Sequence, residues 1–103
     1  MAEKMRAALS RREPAIRDFY DMDHVIQKRG FDPQEEEIIG LLRRKLAAVP
    51  EPVDVSPAKL AALEIQVEAR LKAVVRTADL ESFDLARVFQ TAVRLATALA
   101  SAT

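Results

Sequence analysis

The sequence predicts an all-α protein, a bundle of four amphipathic helices preceded by a short N-terminal lead helix. Alanine, leucine, glutamate and arginine dominate the 103 residues and only two are glycine, a composition that favours helix and disfavours sheet. Apolar residues recur at spacings of three and four, as they do on the buried face of a helix. The five prolines stand at expected helix starts or in expected loops. We therefore expect residues 1–103 to form a single helical domain, with an internal loop at residues 50–56.

A proline and a glycine delimit the first two helices. A short lead helix is predicted over about residues 3–12. Pro14 then opens a second helix, because proline suits the first helical turn, where its missing N–H costs no hydrogen bond. This helix is predicted to run to about Arg29, since Gly30 readily adopts the left-handed conformation that ends helices.

The third helix is predicted from a cap-and-proline pair, Asp32-Pro33, which supplies an N-cap and a first-turn proline. Acidic residues follow at once and basic residues stand near the far end, which suits the helix dipole. The helix is expected to stop before Pro50, where two prolines and the loss of helical period mark the longest loop.

Ser56-Pro57 repeats the cap-and-proline signal and predicts a fourth helix, which runs to about Arg76. Its expected buried face comprises Leu60, Leu63, Val67, Leu71 and Val74. A last helix is predicted after the connection at residues 77–82. Its expected buried face comprises Leu85, Val88, Phe89, Ala92, Ala96 and Leu99.

The second helix has an unusual run of acids, Asp18, Asp21 and Asp23, although aspartate is a mediocre helix-interior residue and the dipole favours it only in the first turn. The simplest interpretation makes Arg17 and Asp21 a solvent-exposed i,i+4 pair. A metal site built from Asp18, Asp21 and His24 on one helix would be open and weak, so we predict no metal ligands in this chain. His24 is the only histidine and has no serine or cysteine near it in sequence, so a nucleophilic triad is not indicated.

Composition excludes several classes of protein. Sixteen basic residues balance sixteen acidic ones, so no global positive field indicates nucleic-acid binding. The local exception is the basic segment from Lys4 to Arg12, which leaves RNA binding as one hypothesis. Cysteine is absent, which excludes disulfides and thiol chemistry. No run of 18 apolar residues and no signal-peptide pattern is present, so we expect a soluble, cytoplasmic protein with no membrane association.

The segment AEKMRAALSRREPAIRDFYDMDHVI, residues 2–26, resembles the C-terminal helical region of bacterial AbiEii/AbiGii-type nucleotidyltransferases, which are toxins of toxin–antitoxin systems. Members of this family have a helix with a lysine, small residues and an arginine, followed on the next helix by an Arg/Lys-Asp-x-x-Asp motif. The residues similar to the first element are Lys4, Ala7, Ala8 and Arg12, and those similar to the second are Arg17, Asp18 and Asp21. The later sequences VDVS and FDLARVF also resemble the end of such proteins, so the resemblance covers essentially the whole chain.

This resemblance implies nucleotidyl transfer, in which an NTP gives a nucleotide to an acceptor such as tRNA and pyrophosphate is lost. It implies catalytic roles for Lys4, as a cation on the triphosphate, and for Asp18, which would position the lysine or take the acceptor proton. Asp21 would be a third catalytic residue and brace Arg12 or Arg17, and these two arginines would bind the nucleotide phosphates. Magnesium and NTP are implied for the complete family enzyme.

The family's metal-binding carboxylates are expected on an upstream sheet domain, in a Gly-Ser…Asp-x-Asp pattern that this sequence lacks. It has no Gly-Ser pair, and its only Asp-x-Asp, at residues 21–23, lies on a predicted helix. We therefore expect the chain to be the C-terminal part of a larger nucleotidyltransferase. It would hold no cofactor and be inactive alone, because phosphoryl-type transfer needs divalent ions on the phosphate oxygens.

The expected partners follow from this interpretation. They are a missing or separate catalytic domain, an antitoxin protein, RNA, and a second copy of the chain that would cover a surface meant for the sheet domain. The alternative function is a stand-alone helical protein-interaction module, because a helix hairpin with an apolar groove could equally bind a partner protein.

Overall fold

A computed structural model describes residues 2–101, without the side chains of Val74 and Ser101. Within those residues the secondary structure is entirely helical, which confirms the all-α class. The helices are α1 (Ala2–Ser10), α2 (Ile16–Arg29), α3 (Glu36–Ala47), α4 (Pro57–Gln66), α5 (Lys72–Val74), α6 (Thr77–Ser82) and α7 (Leu85–Ser101). A π-helical segment, Val67–Leu71, joins α4 to α5 without a break.

Two helix ends form as the sequence predicts. Gly30 ends α2 in the left-handed conformation, with φ of 66°, and its N–H donates to the carbonyl of Val25. Ser56 caps α4, because its side-chain oxygen accepts a hydrogen bond of 3.2 Å from the Lys59 N–H. These ends depend on backbone conformation and local side-chain bonds, so neighbouring residues were sufficient to predict them.

The predicted start of α3 is wrong. The Asp32 carboxylate accepts a hydrogen bond of 2.9 Å from the Gln34 N–H and forms a local turn, and the helix begins only at Glu36. Aspartate makes such turns as readily as it caps helices, so the same residues support both outcomes.

The remaining differences lie at α1, at the start of α2 and along the fourth predicted helix. Pro14 does not open α2, which begins at Ile16 with Ala15 as its N-cap, so the proline precedes the helix. The lead helix stops at Ser10, two residues early. Residues 77–82, expected as a connection, form the short helix α6. The helix that Ser56 caps contains a π-helical segment, Val67–Leu71, where a continuous α-helix was predicted.

Although predicted as a lead-in, α1 lies at the centre of the fold, where it packs against α2, α3 and α7. Its buried residues are Ala2, Met5, Ala7, Ala8, Leu9 and Ser10. Several of these side chains are small, so neighbouring helices approach the α1 backbone closely. The central position places Lys4, near the start of α1, directly beside α2.

The apolar core is formed by buried residues of α1, α2, α3, α4, the π-helical segment and α7. Phe19 of α2 is fully buried and stacks on Phe89 of α7, with ring centroids 6.1 Å apart. The predicted residues that prove buried are Leu63, Leu71, Val88, Phe89 and Ala92, and those that prove half-buried are Leu60, Val67, Leu85, Ala96 and Leu99. Leu95, which was not predicted, is also buried, and the side chain of Val74 lies outside the described residues.

Over the described part of the chain, none of the helices has both the length and the apolar character required to cross a membrane.

Candidate functional site

A lysine–carboxylate cluster forms where α1 meets α2. We define the cluster as Lys4, Arg11, Arg17, Asp18 and Asp21. Lys4 of α1 and Arg11, which directly follows the helix and continues its last turn, are seven residues apart and so lie on one side. Asp18 and Asp21 are three apart on the facing side of α2. The contact between the two helices thus brings together two short motifs of the sequence.

Lys4 joins both carboxylates of the cluster. Its Nζ lies 2.9 Å from Oδ2 of Asp21 and 4.0 Å from Oδ1 of Asp18. Arg17 approaches Asp21 from the other side, with Nε 3.2 Å from Oδ1. Arg11 approaches Asp18, with Nε 3.2 Å from Oδ2. Each carboxylate is therefore held between two cations.

The cations of the cluster face solvent and the carboxylates lie behind them. The side chain of Asp18 is 6% exposed and that of Asp21 is 24% exposed, whereas those of Lys4 and Arg17 are 48% and 56% exposed. The Arg17 guanidinium also lies over the Tyr20 ring, 5.2 Å from its centroid, which restricts its rotation. An approaching ligand would therefore meet positive charge first.

One oxygen of Asp18 is left without a hydrogen bond. Oδ2 is buried, and the nearby Arg11 N–H is close enough for an ion pair but not aligned to donate. A buried carboxylate oxygen without a donor is costly, and the charge of Arg11, whose Nε lies 3.2 Å from it, offsets part of that cost.

An open cleft of about 490 Å³ lies beside the cluster. Its lining comprises Lys4, Arg17, Tyr20, Asp21, His24, Val25 and Arg29. Three of these side chains are cations and only one is a carboxylate, so the cleft suits an anionic ligand. Its volume falls within the range of small-molecule sites, roughly 300–1,000 Å³.

The structure brings four of the five predicted site residues together: Lys4, Arg17, Asp18 and Asp21. Arg12, predicted to bind phosphate, lies elsewhere. It is exposed, and with Arg11, Pro50 and Pro52 it lines a second cleft. Within residues 2–101 it makes no ion pair with the cluster.

Arg11, which sequence reasoning did not select, lies beside Asp18. Its N–H donates to the Ala7 carbonyl, so it continues the last turn of α1. The spacing of seven between Lys4 and Arg11 is two helical turns and would have indicated that they share a face.

The described residues do not fit a divalent metal ion. No group of three histidine, aspartate or glutamate side chains within residues 2–101 could hold one. Asp18 and Asp21 are occupied by cations, and Asp23 points away from them to an ion pair with Arg87 of α7. The carboxylates of this Asp-x-Asp therefore face different partners and cannot share an ion.

Comparison with known proteins identifies the family. The model of the nucleotidyl transferase AbiEii toxin, from type IV toxin–antitoxin systems, matches residues 1–94. No curated protein and no solved structure matches the chain. Because the match includes α1, α2 and the whole cluster and extends into α7, the chain belongs to the nucleotidyl transferase AbiEii toxin family.

Proposed function

We propose that this chain supplies the lysine and Arg-Asp-x-x-Asp part of a nucleotidyltransferase site. The complete protein would transfer a nucleotide from an NTP to RNA, such as tRNA, and release pyrophosphate. The observation that best supports this proposal is that Lys4 of α1 contacts Asp21 and approaches Asp18 of α2 at the edge of a cationic cleft. Substrates of this kind are cytoplasmic, so we place the protein there.

The cluster offers a distinct role to each residue. The Lys4 ammonium is half-exposed and oriented by Asp21, so it is placed to neutralise a phosphate of the bound triphosphate. Arg17, held by Asp21 and Tyr20, would add a second phosphate contact. Asp18 would position Lys4 or accept the proton of the acceptor hydroxyl, and its burial behind Lys4 favours the first role.

We propose that these 103 residues do not catalyse transfer alone. Phosphoryl-type transfer needs divalent ions that bridge the phosphate oxygens, and the carboxylates described here are already paired with cations. The metal-binding carboxylates would come from another segment, in the same polypeptide or in a separate one. An antitoxin would counteract the complete protein, as the family description implies.

A complementation assay tests this proposal. The 103-residue chain is incubated with total tRNA, magnesium and each labelled NTP, alone and with the strand-rich catalytic domain of an AbiEii family member. We expect no transfer by the chain alone and transfer with the added domain. Lys4→Ala and Asp18→Asn should each abolish it, since they remove the phosphate cation and the buried carboxylate beside it.

Lys72→Ala is the matched control, because Lys72 is an exposed lysine whose ion-pair partner within the described residues is Glu68 of the adjoining π-helical segment, at 2.6 Å. We expect it to transfer as well as the unsubstituted chain. Transfer that persists in Lys4→Ala at the level of Lys72→Ala would refute the role of the cluster. No transfer with any catalytic domain would instead favour the protein-interaction module.

A further inference from the structure

Lys59 of α4 is a charged residue in a position where charge is rarely found. It is only 3% exposed, although lysine is almost never fully buried without a partner. Its Nζ donates to the Ala8 carbonyl at 2.5 Å and lies 5.7 Å from the centroid of the Phe19 ring. Within residues 2–101 no carboxylate is close enough to form an ion pair with it, and Asp54 and Asp18 act on its charge only through space.

The contact with Ala8 completes the C-terminal end of α1. The last carbonyls of a helix have no partner within the helix, and α1 has no terminal glycine to supply one. The Ala8 carbonyl is bonded by the Lys59 ammonium, and the Leu9 carbonyl by the Asp54 N–H at 2.8 Å. A cation at this end also interacts favourably with the helix dipole. The segment from Asp54 to Lys59 therefore holds α1 in place.

The same end of α1 sets the position of the cluster. Ala8 follows Lys4 by one helical turn, so the two residues lie on one side of α1. Any shift of this helix along α2 would change the separation of Lys4 from Asp18 and Asp21, which are its partners across the interface. Lys59 also adds a buried positive charge that attracts Asp18, whose Oδ2 has no hydrogen-bond donor.

We propose that Lys59 is a positioning residue for the cluster: its ammonium holds the end of α1 on α4, and its buried positive charge attracts the Asp18 carboxylate. Lys59 is not among the residues that line the cleft, so it would act through Ala8 and Asp18 and not on the ligand itself. Its importance for transfer rests on the proposed function. The placement of Lys4 and the electrostatic coupling of Lys59 to Asp18 do not depend on the proposed function, and both can be measured without an activity assay.

The coupling is tested by NMR titration of the Lys59 side chain in the full chain. Burial lowers the pKa of Lys59, while the charges of Asp54 and Asp18 oppose this shift. Asp18→Asn should therefore lower the Lys59 pKa further, because one of the two opposing charges is removed. Asp79→Asn is the control, since Asp79 pairs with Arg76 at the surface and does not act on Lys59, and it should leave the pKa unchanged.

The positioning is tested by Lys59→Met, which keeps the length of the side chain and removes its charge and donors. We expect the backbone amides of α1 to exchange with solvent at least about tenfold faster, because a hydrogen bond to a charged group is lost. The NMR signal of the Lys4 Cε should shift towards that of an unpaired lysine.

A charge-restoring variant separates positioning from a loss of folding. The chain has no cysteine, so Lys59→Cys can be alkylated with bromoethylamine at a single site and refolded, which rebuilds a side chain close to lysine. This product should restore slow exchange and the Lys4 signal, and in the complementation assay it should restore transfer lost in Lys59→Met.

Two results would overturn the proposal. One is an unchanged Lys59 pKa in Asp18→Asn, which would show no coupling to the cluster. The other is an unchanged Lys4 signal in a folded Lys59→Met variant, which would show that Lys59 only stabilises α1. If the coupling and the Lys4 shift appear but no catalytic domain gives transfer, the positioning stands and the proposed function fails.

Discussion

The ion pair between Asp23 of α2 and Arg87 of α7 allows a prediction in which its two partners contribute unequally to stability. Arg87 binds the carboxylate in a bidentate manner, with Nε 3.1 Å from Oδ1 and Nη2 2.8 Å from Oδ2, and it also donates to the Ser82 carbonyl at 3.0 Å. The Asp23 side chain is 5% exposed and that of Arg87 is 39% exposed. Water can therefore replace Asp23 around the arginine far more easily than it can replace Arg87 around the aspartate.

The magnitudes follow from this asymmetry. Arg87→Met leaves a buried carboxylate without a cation, and removing one partner of a buried pair costs about 3–5 kcal/mol. Because the pair is partly accessible through Arg87, we expect the lower end, about 3 kcal/mol. Asp23→Asn keeps an acceptor oxygen and leaves an arginine that water can solvate, so its cost should be about 1 kcal/mol.

The assay is urea denaturation at neutral pH, followed by far-UV circular dichroism, with the free energy of unfolding obtained by linear extrapolation. Arg76→Met is the control, because Arg76 is 92% exposed and pairs with Asp79 at 3.6 Å, so its change should stay within about 0.5 kcal/mol. An Asp23→Asn cost equal to or above that of Arg87→Met would refute the reasoning. So would an Arg87→Met cost indistinguishable from the control.

Three further predictions concern other parts of the chain. Gly30→Ala should destabilise the protein by about 1 kcal/mol, because Gly30 has a φ of 66°. Gly40→Ala within α3 should stabilise it by about 0.5–1 kcal/mol, because the added methyl group meets no atom within 4 Å. Urea denaturation measures both changes in unfolding free energy, and changes of the same sign would contradict this prediction. Ser56→Ala should cost about 1 kcal/mol through loss of the α4 cap, and Ser56→Thr, which keeps the hydroxyl, should recover most of that in the same measurement. In the folded protein, burial lowers the pKa of Lys59 below the ordinary 10.5, which applies to the unfolded chain. At a pH between the folded and the unfolded pKa, the unfolded chain binds more protons than the folded one, so the free energy of unfolding should rise with pH. The Lys59→Met variant should lack this rise. If the free energy of unfolding changes with pH by the same slope in both proteins, Lys59 is not its cause.

Features that depend on neighbouring residues could be predicted from the sequence. The all-α class, the end of α2 at Gly30 and the cap at Ser56 follow from composition, backbone conformation and bonds within one turn. The i,i+4 pair of Glu68 and Lys72 forms for the same reason. The start of α3 was not predictable in this way, because Asp32 can cap a helix or form a turn and the two alternatives differ little in local energy.

The candidate site was predicted in part, and through the resemblance of its motifs. Lys4 and Asp21 are 17 positions apart, and no periodicity indicates that they meet. The motifs did not indicate that Arg11, and not Arg12, stands beside Asp18, because that depends on where α1 ends. They also did not indicate that Lys59 is buried against Ala8, 51 positions away.

The sequence by itself determined the helical class, two of the helix ends and the residue types of the lysine–carboxylate cluster. The tertiary structure decided that α1 is central, that Lys4 lies between two carboxylates, and that Asp23 pairs with Arg87 across 64 positions. The reason is physical: helix formation depends on interactions within a few residues, whereas the pairing of buried charges depends on how helices pack and on which side chains that packing shields from water.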